Sequence, residues 1–136
     1  LTTKKIPGKT DPVSTNQLID GTENFTWGEA TKGLTRIPTS WRVTQNIIRV
    51  AQKLQKLRDN EFNCNPVIVT SWFRDPVSNQ KAGGVSNSKH LEGHAVDFYV
   101  SGMNIREVQR LLQDWEGGFG SYSTFVHLDL GSRRRW

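Results

Sequence analysis

Between Val43 and Leu57 the apolar side chains Val43, Ile47, Val50, Ala51, Leu54 and Leu57 fall on one stripe of a 3.6-residue helix. Such a stripe has to be covered, so the chain must build a second layer for this helix to lie on. Thr39 or Ser40, after Pro38, can cap its start, and Asp59-Asn60 can end it. A second helix is expected from Asn104, with Glu107 as capping-box partner and Ile105, Val108, Leu111, Leu112 and Trp115 on one side, ending at Gly117-Gly118. Strand character belongs to Val67–Thr70, Ala95–Val100 and Phe125–Leu130. Side chains alternate along a strand, so His127 and Asp129 share one face while Val126, Leu128 and Leu130 share the other. By the same parity Asp97 lies opposite Val96, Phe98 and Val100. The expected architecture is α+β: a small antiparallel sheet with helices packed on one face and polar groups on the other.

The 136 residues, 35% hydrophobic and 23% charged, suit one modest core. Residues 1–23 are rich in Lys, Thr, Pro, Gly, Ser and Asn and read as a linker or extended arm, with the domain running over residues 24–136. Phe25 and Trp27 then open it with a short packed element. No run approaches the ~18 apolar residues of a membrane span, and the N-terminus lacks a signal-peptide core. A start at Leu1 suggests a processed product or a domain of a longer precursor. The single cysteine, Cys64, excludes an internal disulfide and reads as a small buried group rather than a nucleophile. Trp41, Trp72 and Trp115 read as core, and Ser71 as structural.

A net charge of +5 and a pI of about 9.7 favour a polyanionic partner. Lys4, Lys5, Lys9 and Arg133, Arg134 and Arg135 cluster at the two ends, where solvated tails are the expectation. Aromatic residues do not interleave with Lys and Arg as in a nucleic-acid reader, so no nucleic-acid partner is expected.

Three histidines are present, His90, His94 and His127. An acid inside a β run needs a partner, because a buried unpaired carboxylate is costly, and a metal is one such partner for Asp97. His90, Asp97 and His127 make two imidazoles and a carboxylate, a set that a catalytic zinc with one open position accepts.

Ser71-Trp72-Phe73-Arg74, then Ser88-x-His90-x-x-Gly93-x-Ala95-x-Asp97, then Phe125-Val126-His127-Leu128-Asp129 resembles the zinc D-Ala-D-Ala carboxypeptidase family, which belongs with other peptidoglycan peptidases and the hedgehog signalling domain. Phe25-Thr26-Trp27-Gly28-Glu29 and Gly131–Trp136 extend the likeness over residues 24–136. The resemblance implies one zinc per chain held by His90, Asp97 and His127, with the metal on the sheet face opposite the helices. It implies that Arg74 binds a substrate carboxylate or polarises the carbonyl under attack. Ser88 is expected beside the substrate.

Relatives carry a proton acceptor just before the last zinc histidine. Here those places hold Thr124 and Phe125, which cannot serve. Asp129 is the nearest substitute, and two roles are open to it: general base, or acceptor of the free N–H of His127. Glu92 and His94 are further candidates. Asn79, Gly83 and Gly84 lie in a stretch that can wall the cleft. The implied activity is hydrolysis of peptidoglycan stem peptides, first as a D-Ala-D-Ala carboxypeptidase, with an endopeptidase or a silent zinc-stabilised binding module as alternatives. An extracytoplasmic or secreted monomer is expected.

Overall fold

The computed structural model describes residues 2–85 and 87–136, so Leu1 and Ser86 lie outside it. The chain runs through β1 (Thr3–Lys4), β2 (Val13–Ser14), α1 (Trp27–Ala30), α2 (Trp41–Asn60), β3 (Val67–Ser71), α3 (Pro76–Lys81), a 3-10 turn (Lys89–Glu92), β4 (Ala95–Val100), α4 (Ile105–Leu111), β5 (Gly118–Ser121), β6 (Val126–Asp129) and β7 (Arg134–Arg135). Strands β3-β4-β6-β5-β7 form the main sheet in that order, while β1 and β2 form a separate hairpin. The main pairings are antiparallel except β5 with β7, which is parallel. The α+β class therefore holds, with a mixed rather than purely antiparallel sheet.

Helix α2 starts where Ser40 accepts a hydrogen bond from the Val43 N–H, satisfying one of the donors a helix start leaves open. Its stripe of Val43, Ile47, Val50, Ala51 and Leu54 packs in one core with Val96, Phe98, Val100, Val126 and Leu128, the inward residues of β4 and β6. The opposite sheet face is left for Asp97, His127 and Asp129. Helix α4 is capped by Asn104, but its side chain accepts from Arg106 N and the helix ends at Leu111, before the expected glycines. Gly117-Gly118 does not stop a helix; Gly118 opens strand β5.

Residues 2–23 are not an extended arm. Ile6, Val13 and Ile19 are 3%, 0% and 1% exposed and belong to the core. Main-chain bonds fold this segment onto α1 (Ile19 N to Phe25 O, Trp27 N to Gln17 O, Gly28 N to Thr15 O). The buried Gln55 of α2 then accepts from Glu23 N and Asn24 N, each at 3.0 Å. The packed element expected at Phe25 and Trp27 is α1, closed by a capping box between Thr26 and Glu29. Two side-chain expectations change. Trp41 is 62% exposed, and Cys64 is exposed at a position with positive φ.

Ile19→Ala tests the packed N-terminal segment. Truncating a fully buried isoleucine costs about 2–5 kcal/mol, whereas an exposed arm would tolerate it within ~0.5 kcal/mol. Urea denaturation is expected to show the larger loss.

Candidate metal centre

Strand register builds the first half of the site. Asp97 on β4 lies directly opposite His127 on β6, and Ser71 of β3 lies opposite Asp97 on its other side. Asp97 Oδ1 is 2.9 Å from His127 Nδ1. The 3-10 turn supplies the second imidazole. Ser88 Oγ accepts from His90 N and starts the turn, and Gly93 ends it with φ of 78°. A side chain at Gly93 would also meet Val43 and Ile47 of α2 at about 2.9–3.1 Å, so glycine answers both a left-handed backbone and close helix contact. The turn is tied to the end of β3 twice: Arg74 N donates to His90 O, and His90 Nδ1 lies 2.7 Å from Trp72 O.

The second of those contacts sets the tautomer. A carbonyl can only accept, so Nδ1 of His90 carries the proton and Nε2 is free, 3.3 Å from Asp97 Oδ1. One donor atom from each of His90, Asp97 and His127 lies within 4.8 Å of the others. His127 contacts a carboxylate through each ring nitrogen, Nδ1 with Asp97 and Nε2 with Asp129 Oδ2 at 2.8 Å, so without a metal both nitrogens are protonated. Loss of the Nδ1 proton leaves a lone pair aimed at the same spot as His90 Nε2 and Asp97 Oδ1, while Nε2–H stays with Asp129. Two nitrogens and one oxygen with defined tautomers fit zinc.

Asp129 is 1% exposed, and both its oxygens are engaged. Oδ1 accepts from Gly118 N at 3.1 Å and Gly131 N at 3.0 Å; Oδ2 takes the His127 N–H and Arg134 Nη2 at 2.6 Å. Four donors fill the four lone-pair sites of a carboxylate, leaving none for a water. Burial pushes its pKa up, but the bonds from His127, Gly131 and Arg134 outweigh burial and hold it far below the usual carboxylate range. Asp129 thus makes the contact to His127 that an anchoring acid requires.

Arg74, Ser88, His90, Asp97, His127 and Asp129 all line one open groove of about 830 Å³. Arg74 does not pair with Asp75, which instead caps α3. Its Nη2 is 3.7 Å from Asp97 Oδ2, its Nε donates to Ser71 Oγ, and its Nη1 donates to the buried Asn79. The stretch holding Asn79 is thus helix α3, which braces Arg74. His94 turns to the other face, toward Val50, Leu54 and Trp115. Glu92 lines the groove with a side chain 53% exposed.

Tyr122, Phe125, Arg134 and Trp136 also line the groove, and of these Tyr122 lies outside the sequence segments singled out above. Nor are the three terminal arginines solvated tails. Arg133 and Arg135 donate to the carbonyls of Gln113 and Trp115, and Arg134 reaches Asp129. Arginines three to five residues beyond the expected strand end at Leu130 give no sequence signal of such a return.

Two imidazoles and a carboxylate converging on an open groove, with a buried acid behind one imidazole, define a metallohydrolase-type centre on an α+β domain. Residues 20–129 match the Peptidase M15 family model, and the chain belongs to that family. It is 33% identical over 127 residues to the zinc D-Ala-D-Ala carboxypeptidase of Streptomyces albus G, covering 83% of this chain and 48% of that protein. It is also 33% identical over 79 residues to the peptidoglycan L,D-endopeptidase MepK of Escherichia coli K12, covering 52% of this chain and 43% of the relative. The chain spans less than half the length of either. The resemblance read from the motifs thus holds for the family, whereas the carboxypeptidase subtype is not singled out.

The ionic pairs set the pH response of the metal-free protein. Burial pushes Asp97 up, but the imidazoles of His127 and His90 beside it hold it at about 2, so its contribution is present above its ordinary 3.8 and lost as pH falls toward 2. Burial lowers His127, but Asp129 and Asp97 raise it above its ordinary 6.5, so its contribution is present below 6.5 and lost as pH rises through the raised value. The urea midpoint of chelator-treated protein is expected to peak between pH 3.8 and 6.5. A midpoint that climbs from pH 6.5 upward contradicts this pairing.

Proposed function

We propose that this chain is a zinc-dependent peptidase acting on the stem peptides of peptidoglycan, and that it cuts them as an endopeptidase. The observation that carries the reading is the convergence of His90 Nε2, Asp97 Oδ1 and His127 Nδ1 on one point of an open groove. When bound there, zinc supplies a Lewis acid that brings the pKa of water toward ~7 and polarises a carbonyl. Trp72 O and Asp129 hold the two imidazoles in the tautomers that binding needs. Arg74, beside Asp97, offers donors where charge develops on the scissile carbonyl.

The position of Arg74 supports the endopeptidase reading over the carboxypeptidase one. A carboxypeptidase needs a cation about one residue beyond the scissile bond to hold the terminal carboxylate. Arg74 sits against a metal ligand, Lys89 is paired with Glu92, and Arg134 is paired with Asp129. An open groove with its cations engaged suits a chain that continues past the cut. The similarity to the L,D-endopeptidase MepK agrees with this reading.

Of the three acids lining the groove, Asp97 faces the imidazoles and Asp129 is saturated. Glu92 keeps an oxygen free of partners among the described residues, its other oxygen lying near Lys89 and His94. We assign it the transfer of the water proton to the leaving amine. The silent binding module is the outcome if no stem peptide is ever cut. The setting in which this chemistry has a substrate is extracytoplasmic.

Mass spectrometry of native protein is expected to find one zinc per chain, lost on His90→Ala, and digestion of purified stem peptides to yield internal fragments. Release of terminal alanine alone returns the carboxypeptidase reading. Glu92→Gln is expected to keep its zinc and lose about 10²–10⁴-fold in kcat. Full activity in that variant removes Glu92 from the mechanism.

A further inference from the structure

Residues 132–136 return to the sheet as β7, and their side chains close around the far side of His127. Arg134 faces Asp129 across β5, because Gly118 pairs with both of them on its two sides and leaves the side chains room to meet. A Cβ at Gly118 would sit 2.5 Å from both Asp129 carboxylate oxygens and 2.6 Å from Arg134 Nη2, so only a glycine leaves room for that ion pair. Two residues further along β5, Gly120 pairs with His127, and a Cβ there would lie 2.6 Å from the Trp136 indole. The indole fills that space. Its ring centroid is 5.1 Å from that of His127, its Nε1 donates to Tyr122 Oη at 2.8 Å, and the Arg134 guanidinium lies over it at 5.1 Å. Ser121 N donates to Trp136 O and Trp136 N to Phe119 O, pinning the main chain.

We infer that Arg134 is a positioning residue for the metal-binding imidazole, acting through Asp129 on His127, and that Trp136 holds Arg134 in place while walling the groove. This rests on the zinc reading above. The oxygen that receives the His127 N–H is the one that receives Arg134 Nη2. Without the guanidinium, that oxygen keeps His127 as its single side-chain donor, and the buried carboxylate loses its compensating charge. The imidazole then turns more freely and its Nδ1 lone pair is less well aimed at the site. Two glycines in β5 and a cation stacked on an indole serve no need of the core, which lies on the opposite sheet face.

The test titrates zinc against a competing chelator into the metal-free full chain, and records the absorption spectrum of the cobalt-substituted protein, for wild type, Arg134→Gln, Arg134→Lys and Trp136→Ala. Loss of a group that orients a metal ligand weakens binding about 10- to 100-fold, and that loss is expected for Arg134→Gln, with an altered cobalt spectrum. Arg134→Lys keeps a cation and a donor and is expected to recover most of the affinity. Trp136→Ala is expected to fall between wild type and Arg134→Gln, and decides the matter if Arg134→Gln does not fold. Equal zinc affinity and equal cobalt spectra in wild type, Arg134→Gln and Trp136→Ala overturn the inference, as does a lysine variant no better than glutamine. Wild type that binds no zinc overturns the zinc reading and takes this inference with it.

Discussion

The antiparallel register of β4 and β6 sets Asp97 directly opposite His127, and the rest of the site is arranged around that pair. Because side chains alternate, the same register points Val96, Phe98, Val126 and Leu128 into the core under α2. A slip of one residue would bury Asp97 and His127 among those aliphatics and expose the valines, at the cost of an unpaired buried charge and of lost apolar burial. Core packing and site geometry therefore enforce one another: the apolar face selects the register, and the register delivers the ligands.

Around the pair, polar groups are satisfied one by one. Trp72 O takes the His90 N–H, Asp129 takes the His127 N–H, and Asp129 is itself saturated by two main-chain amides and Arg134. A buried polar network is stable only when its members find partners, and a network so closed also fixes where each lone pair points. With His90, Asp97 and His127 already gathered within 4.8 Å, loss of the His127 Nδ1 proton is the main adjustment left for a cation to bind, which is close to a preorganised metal site. The groove itself is lined by His90, the half-exposed Glu92 side chain and the aromatic wall of Tyr122 and Trp136.

Regular elements with strong apolar periodicity were readable in the chain. Ala95–Val100 is a strand over its whole expected length, and α2 contains its expected stripe and cap. Strand β5 was not readable, because Gly118-Phe119-Gly120-Ser121 has little β propensity; its glycines answer to Asp129 and Trp136 across the sheet, not to their own neighbours in sequence. Ile6, Val13 and Ile19 were missed for a related reason. They sit singly, in irregular backbone or in a two-residue strand, where burial leaves no period to detect, and their segment is held by α1 and Gln55.

The sequence by itself determined which sheet face carries the polar residues. Asp97, His127 and Asp129 share it by parity, because alternation in a strand is a local property of the backbone, and the motif resemblance joined His90 to Asp97 and His127. What only the tertiary structure decided is the work of the side chains that meet across elements. The partners of Asp129 are an example: Gly118, Gly131 and Arg134 fill its oxygens alongside His127. His94 could share the site until its side chain was found against α2, and Arg134 could be a solvated tail until β7 paired with β5 and its guanidinium reached Asp129. Hydrogen-bond saturation and burial are properties of neighbours distant in sequence, so no local pattern encodes them.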